Sequence, residues 1–194
     1  FGNMGSCLGE KLKSKYEVFV FDKDINKINN LPGIKLADSN SDLVNKVDVV
    51  ILAVKPQDFG NVLNEIKNGT DEKLVISIAA GITTEYIEKY LGKVRVIRTM
   101  PNMPAKIGKG MTCVCKGKFA TNQDLDFAKE LFDNSGKTLI IKEDMMDAAT
   151  AISGSGPGYF FDLVENKKID INNQDQIERF NRELAESAQS IGFS

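Results

Sequence analysis

The sequence predicts an α/β fold, in which a doubly wound, mostly parallel sheet is followed by a domain of helices only. Two observations lead to this prediction. Short, almost entirely apolar runs alternate with helical patterns from the N-terminus to about Lys142, as in a sheet covered by helices on both faces. Beyond this point no strand is evident, and helical patterns run over Met145–Ile152 and from Pro157 onward. We therefore predict a first domain over residues 1–144 and the start of a second over residues 145–194.

The elements of the first half follow from local composition. The run Tyr16–Phe21 is rich in aromatic and β-branched residues, which is typical of a buried strand. Ser39 and its polar neighbours are suited to cap a following helix. The predicted strands here are Tyr16–Phe21, Ile34–Ala37 and Val47–Val54, and the predicted helices are Met4–Lys15, Ile25–Leu31 and Asp42–Lys46.

In the second half, threonines and glycines mark where helices begin and end. Thr121 can cap a helix that begins at Asn122, and Gly136 is suited to close it. The predicted strands are Leu74–Ile78, Val94–Arg98, Gly110–Cys115 and Lys137–Ile141, and the predicted helices are Thr84–Tyr90 and Asn122–Phe132.

The composition excludes several classes of function. The chain has 194 residues, 42% of them apolar, and a net charge of −2, so we expect a packed core and no nucleic-acid partner. No apolar run is long enough to cross a membrane and no signal peptide is visible, so we expect no membrane partner. Cys7, Cys113 and Cys115 form neither a zinc pattern nor a disulfide framework, which favours reduced thiols in the cytoplasm. The absence of histidine removes His-based metal sites and the commonest nucleophile pairs, and we predict no metal.

The first five residues, Phe1–Gly5, read as the end of a G-x-G-x-x-G phosphate-binding turn. Gly2 would let the backbone approach a pyrophosphate, and Gly5 would let the following helix pack closely on the sheet. The first glycine of the pattern would precede Phe1–Gly5, and the chain opens without methionine, so we expect the sequence to begin inside the motif. Asp22 lies about twenty residues after Gly2, where an acidic residue binds the ribose, and Lys23 could instead meet a 2′-phosphate. An ordinary turn and a polar helix cap are the simpler interpretations.

Further motifs follow predicted strands, at the edge of the sheet where open α/β folds bind ligands. Lys55 and Pro56 follow the strand that ends at Val54. The lysine could meet phosphate, ribose or a substrate carboxylate, or it could be an ordinary solvated side chain. The segment Ser153–Tyr159 joins the last two helices. Its serine hydroxyls and the helix start at Pro157 could cradle a carboxylate, or the segment could be a flexible joint.

Five short motifs together resemble one enzyme family. They are Gly2–Gly5, Ala53–Gln57, Ser77–Gly81, Met100–Pro104 and Ser153–Tyr159. In this order they resemble pyrroline-5-carboxylate reductase, the enzyme that makes proline. The resemblance implies reduction of 1-pyrroline-5-carboxylate to L-proline by hydride transfer from NADPH or NADH. It also implies a Rossmann domain followed by an all-helical domain, through which subunits interlock as a homodimer or a higher homo-oligomer.

The motifs and the resemblance together predict the site residues. The glycine turn would hold the pyrophosphate and Asn40 would touch a ribose. The motifs Ala53–Gln57 and Ser77–Gly81 would line the nicotinamide. The predicted cofactor-binding residues are Gly2, Asn3, Met4, Gly5, Asp22, Lys23, Asn40, Ala53, Val54, Lys55, Pro56, Ser77 and Ala79. Lys55 is also the predicted catalytic residue, because it would position the cofactor or the substrate. The predicted substrate-binding residues are Ser155, Gly156 and Pro157.

The sequence departs from the family pattern at several positions. Met103 stands where threonine is usual, and Gly158 stands where alanine is usual. A polar segment, Asn166–Arg182, interrupts the helix expected after Tyr159, and the pattern resumes over Glu183–Gly192. The family's later Ser-Pro-Gly-Gly-Thr motif is absent, so we expect a truncated helical domain, and a polypeptide of these residues alone that binds cofactor but turns over poorly.

A chain without histidine suits the reduction of an imine better than the reduction of a ketone. A protonated imine already carries its proton and its positive charge, so hydride addition yields a neutral amine without a protein acid. Asp22 favours NAD and Lys23 favours NADP, so the cofactor choice stays open. Two alternatives remain. One is a β-hydroxyacid dehydrogenase, whose catalytic lysine would have to be Lys167 or Lys168, and the other is a dinucleotide-binding sensor without turnover.

Overall fold

The computed structural model describes residues 1–190. The strands are β1 (Phe19–Val20), β2 (Lys35–Leu36), β3 (Val49–Leu52), β4 (Leu74–Ser77), β5 (Arg95–Met100), β6 (Gly110–Lys116) and β7 (Gly136–Ile140). The helices are α1 (Asn3–Leu12), α2 (Asn40–Asn45), α3 (Phe59–Ile66), α4 (Thr84–Leu91), α5 (Asn122–Asp133), α6 (Met146–Ala149), α7 (Gly156–Glu165) and α8 (Gln174–Ser190). Short 3₁₀ turns lie at Ile25–Lys27, Pro56–Asp58, Lys67–Gly69, Met103–Ile107 and Glu143–Met145, and Thr150–Gly154 forms a π turn.

The main sheet has the strand order β3-β4-β5-β6-β7. β3, β4 and β5 run parallel, β6 runs antiparallel to β5, and β7 runs parallel to β6. β1 and β2 form a separate parallel pair. The predicted α/β fold with a mostly parallel, doubly wound sheet is therefore confirmed. Because β6 is reversed, its first residues lie at the same edge as the last residues of β3, β4 and β5.

Helices cover both faces of the main sheet. On one face, α1 and α5 bury apolar residues such as Leu8 and Phe132 against β4, β5 and β6. On the other face, α2, α3 and α4 bury residues such as Phe59, Leu63 and Ile87 against β3, β4 and β5. At 25 cal/mol per Å² of apolar surface, each fully buried leucine or phenylalanine contributes about 2 kcal/mol to folding. These two layers hold the strand ends in fixed positions.

Three predictions in the first domain are wrong in detail. The expected helix Ile25–Leu31 is only a 3₁₀ turn, because asparagine-rich sequence ends at Asn30 with a positive φ of 57° shortly before Pro32. The expected strand Tyr16–Phe21 pairs over two residues only. Gly136 starts β7 with a φ of 145° instead of closing α5. The sequence patterns also missed α3 altogether.

The helical segments after β7 divide into two groups. α6 packs on the sheet, where Met146 and Ala149 lie against Cys113 and Cys115 of β6. α7 and α8 pack on each other, with the rings of Phe160 and Phe180 5.3 Å apart. The polar segment Asn166–Arg182, which interrupts the expected helix, contains the turn between α7 and α8 and the first half of α8. The predicted resumption of the family pattern extends to residues 191 and 192, which lie outside the described residues.

No helix within residues 1–190 is both long enough and apolar enough to cross a membrane.

Candidate functional site

The N-terminus of α1 is open and carries no acidic residue in its first turn. Gly2 is the N-cap residue in an extended conformation, and its carbonyl accepts a hydrogen bond from the N–H of Ser6 at 2.9 Å. A Cβ atom added to Gly2 would meet no atom within 4 Å. A Cβ atom added to Gly5 would lie 3.2 Å from the Cβ of Ala53. Gly5 therefore lets α1 pack on the end of β3, whereas the space at Gly2 and the free N–H groups can receive an anion.

The predicted ribose-binding residues have partners of their own. The Asp22 side chain is 13% exposed and accepts a hydrogen bond from the N–H of Asp24 at 2.9 Å. Lys23 points outward and lies 3.2 Å from both carboxylate oxygens of Asp58. Asn40 donates its amide to Glu65 at 2.7 Å. Binding of a ribose by any of these side chains would exchange a contact within the protein for one with the ligand.

The ends of β3 and β4 place the middle motifs at one edge of the sheet. Ala53 and Val54 are half-buried, and Lys55 and Pro56 are exposed at the following 3₁₀ turn. Among the described residues, no carboxylate lies within ion-pair distance of Lys55. Lys55 is thus available to an anionic ligand.

Ser77 and Ala79, which were predicted to bind the cofactor, are buried behind the edge of the sheet. Ser77 is fully buried, and its hydroxyl accepts a hydrogen bond from the N–H of Ala79 at 3.3 Å. The Ser77 carbonyl accepts one from the hydroxyl of Thr99 at 3.1 Å. Ser77 and Ala79 therefore shape the backbone behind the edge, and their contact with a cofactor stays a prediction.

The loop after β5 joins the two halves of the candidate site, and the sequence analysis assigned it no role. Lys106 lies 3.4 Å from the side-chain oxygen of Asn3, at the start of α1. Asn102, which is 9% exposed, donates to the carbonyl of Ser153 at 3.1 Å and accepts from the N–H of Met111 at 2.9 Å. In the sequence, the available signal for this contact was an asparagine between two prolines.

The predicted substrate segment winds without a break from α6 into α7. The N–H and hydroxyl of Ser155 both reach the carbonyl of Thr150, at 2.9 and 3.2 Å, which closes the π turn. Gly156 is buried, and a Cβ atom there would lie 3.5 Å from Leu184 of α8. Pro157 occupies the first turn of α7, as predicted. The segment is helical throughout, and π turns often mark functional sites.

A buried arginine holds the start of this segment on the sheet. Arg98 of β5 is 3% exposed and lies 2.9 Å from Asp147 and 3.4 Å from Glu143. Glu143 also accepts hydrogen bonds from the N–H and hydroxyl of Thr84 at 2.7 and 2.6 Å, at the start of α4. Burial, and then the nearby Glu143 carboxylate, raise the pKa of the Cys115 thiol to about 12. A thiol with such a pKa is not a nucleophile at neutral pH.

The lysines required by the dehydrogenase alternative lie elsewhere. Lys167 and Lys168 are exposed in the turn after α7, and Lys167 has a positive φ of 55°. No contact in the described part of the chain links either lysine to the edge that carries Lys55.

Comparison with known proteins agrees with this geometry. A family model described as "NADP oxidoreductase coenzyme F420-dependent" matches residues 1–81. The chain is 43% identical, over 135 residues, to a pyrroline-5-carboxylate reductase of Methanosarcina acetivorans. The aligned region covers 69% of this chain and 50% of the relative. The chain spans about half the length of the curated relatives that it matches.

Solved structures extend the similarity into the helical segments. A pyrroline carboxylate reductase of Plasmodium falciparum, solved with NADP bound, matches 97% of this chain and 73% of its own, with a TM-score of 0.75 and 29% identity. The reductase of Streptococcus pyogenes matches 100% of this chain and 78% of its own, with a TM-score of 0.76 and 27% identity. The resemblance predicted from the five motifs is confirmed: the chain is similar in sequence and in structure to the pyrroline-5-carboxylate reductases.

Proposed function

We propose that the protein reduces 1-pyrroline-5-carboxylate to L-proline with NADPH or NADH. The observation that carries this proposal is the loop after β5, which contacts the start of α1 through Lys106 and the substrate segment through Asn102. A dinucleotide phosphate at α1 and a substrate carboxylate at Ser155–Pro157 would therefore lie on two sides of one rigid loop. The names of the relatives support the same reaction.

The residues present fit a dinucleotide. The open space at Gly2 and the uncapped N–H groups of α1 suit a pyrophosphate, and Lys106 adds a positive charge close by. The nicotinamide supplies a hydride to the imine carbon when it is bound. Lys55 is available to position an anionic group of the cofactor or the substrate, and no side chain has to donate a proton, because the protonated imine already carries one.

The choice between the two cofactors rests on Asp22 and Lys23. Asp22 is turned inward by its hydrogen bond with Asp24, whereas Lys23 is 78% exposed and paired only with Asp58 at the surface. A surface ion pair contributes less than about 1 kcal/mol, so Lys23 can leave Asp58 for a 2′-phosphate at little cost. This arrangement favours NADPH and admits NADH.

The test titrates the natural polypeptide that contains this sequence with NADPH and NADH by nicotinamide fluorescence, and then measures the oxidation of the cofactor by pyrroline-5-carboxylate. Turnover of the imine supports the proposal. Turnover of 3-hydroxyisobutyrate instead would indicate a β-hydroxyacid dehydrogenase, and binding without any turnover would indicate a sensor.

A substitution of Lys55 tests its role in the proposed reaction. Lys55→Ala is expected to lower kcat/KM more than about tenfold, the effect of losing one positioned charged contact. Lys93→Ala is the control, because Lys93 is also exposed but precedes β5 at the opposite edge of the sheet. Activity of Lys55→Ala equal to that of the control would remove Lys55 from the site.

We also propose that the protein forms a homodimer through its helices. Only Gly156 is buried on the largely apolar α7, where Tyr159 and Phe161 are 56% and 60% exposed. Phe161→Glu is expected to halve the mass measured by light scattering, whereas Leu36→Glu on β2 is not. A monomeric wild-type protein would contradict this proposal. The cytoplasmic location stays a prediction, which the three unpaired, buried cysteines support.

A further inference from the structure

Pro157 leaves one main-chain acceptor without its usual partner. In a helix, the carbonyl of residue i accepts the N–H of residue i+4. The residue four positions after Ser153 is Pro157, which has no N–H. Ser153 also lies in a π turn, whose carbonyls bond to residue i+5, but within residues 1–190 the N–H of Gly158 makes no hydrogen bond to the Ser153 carbonyl. The Ser153 carbonyl, which lies just before the start of α7, therefore needs a donor from elsewhere.

Asn102 supplies that donor. Its amide nitrogen lies 3.1 Å from the Ser153 carbonyl and 3.5 Å from the Ser153 hydroxyl. Its amide oxygen accepts the N–H of Met111, at the start of β6, at 2.9 Å. The orientation of the amide is fixed by chemistry, because a flipped amide would place an NH₂ against an N–H and an oxygen against a carbonyl.

The loop that carries Asn102 is itself held firmly. Pro101 and Pro104 restrict the backbone on either side, and Met111 belongs to a strand of the main sheet. On the other side, Ser153 precedes Ser155 by two residues in the π turn. Asn102 thus ties the turn directly to the carboxyl edge of the sheet through one side chain.

We infer that Asn102 is a positioning residue, which fixes the Ser155–Pro157 helix start for the substrate carboxylate by donating to the carbonyl that Pro157 leaves unpaired. This inference rests on the proposed function for its substrate, but the contact itself can be tested separately. Asn102 acts through the main chain of Ser153 and needs no contact with the substrate.

Asn102→Asp removes the hydrogen bond of this side chain to the Ser153 carbonyl and keeps its hydrogen bond with Met111. A carboxylate still accepts the N–H of Met111, but it repels the Ser153 carbonyl. We expect the KM for pyrroline-5-carboxylate to rise about tenfold, the effect of one lost buried hydrogen bond, with the Kd for NADPH changed less than about twofold. Asn122→Asp is the control, because it adds the same charge at the opposite edge of the sheet, where Asn122 faces Lys116.

Hydrogen exchange tests the contact independently of turnover. In Asn102→Asp, the amides of Ser155 and Tyr159 are expected to exchange about tenfold faster, whereas the Met111 amide keeps its protection. Unchanged exchange at Ser155 and Tyr159, or equal loss of protection at Met111, would overturn the inference. If the wild-type protein reduces no imine, the proposed function fails while the exchange result still decides the positioning role. If turnover is present, an unchanged KM in Asn102→Asp would also overturn the inference.

Discussion

Because the guanidinium of Arg98 is buried, we expect that removing Arg98 lowers the stability less than removing its partner Glu143 does. The Arg98 side chain is 3% exposed, whereas those of Glu143 and Asp147 are 30% and 85% exposed. Removing Arg98 leaves the Glu143 carboxylate in contact with Thr84 and the Asp147 carboxylate in water. Removing Glu143 leaves a charged group inside the sheet with a single, mostly solvated partner.

The expected costs follow from this difference in burial. Arg98→Met leaves no stranded charge, so we expect the free energy of unfolding to fall by about 1–2 kcal/mol. Glu143→Ala strands the guanidinium and removes the hydrogen bonds at the start of α4, so we expect a loss of about 3–4 kcal/mol. Asp147→Ala removes an exposed partner, and the loss should stay below about 1 kcal/mol.

Urea unfolding followed by circular dichroism measures these differences, provided that all variants share one m-value. The double variant Arg98→Met/Glu143→Ala is the decisive control. With no charge left in the sheet, it should be more stable than Glu143→Ala alone. A double variant less stable than either single variant, or an Arg98→Met variant that costs more than Glu143→Ala, would refute the stranded-charge reasoning.

Three further predictions concern other parts of the first domain. Although burial alone would raise the pKa of Asp124, hydrogen bonds from its capping-box threonine and a neighbouring arginine outweigh burial and lower it. Asp124→Asn should therefore be less stable than wild type at neutral pH, and the gap in urea midpoints should close as the pH falls below about 4. Because Cys115 and the other two thiols are buried, Ellman's reagent should label none in the native protein and all three after unfolding. Gly2→Ala should change stability by less than about 1 kcal/mol yet weaken NADPH binding in a fluorescence titration, whereas Gly5→Ala should also lower stability because its methyl presses on Ala53.

Most of the fold could be predicted because strong local signals agree with the tertiary structure. The strand Leu74–Ser77 is buried on both faces, and Thr121 caps α5 as predicted, in a capping box with Asp124. The failures lie where local signals are weak. β1 is paired over only two residues, and α3 begins directly after a proline turn whose own sequence resembles a loop.

The candidate site could be predicted only in part, because position along the chain does not reveal partners in space. The sequence placed Lys55 and the glycine turn at the correct edge. It could not show that Asn40 faces Glu65, or that Ser77 faces inward, since both contacts depend on packing between distant segments. Asn102 was missed because its partner Ser153 lies far along the chain, and its place between two prolines does not reveal that partner.

The distribution of partners at this edge bears on the chemistry of the site. Asp22, Asn40 and Ser155 each have a hydrogen-bond partner within the protein, so a ligand that used one of these side chains would have to exchange that contact. Within residues 1–190, the first N–H groups of α1 and the ammonium of Lys55 have no such side-chain partner, and both favour anions. Such an edge can orient phosphates and a carboxylate. If Lys55 holds an anionic group, as proposed, its ammonium is not free to protonate a new alkoxide. A substrate that brings its own proton is the kind that this edge can serve, which is why an imine fits it better than a ketone does.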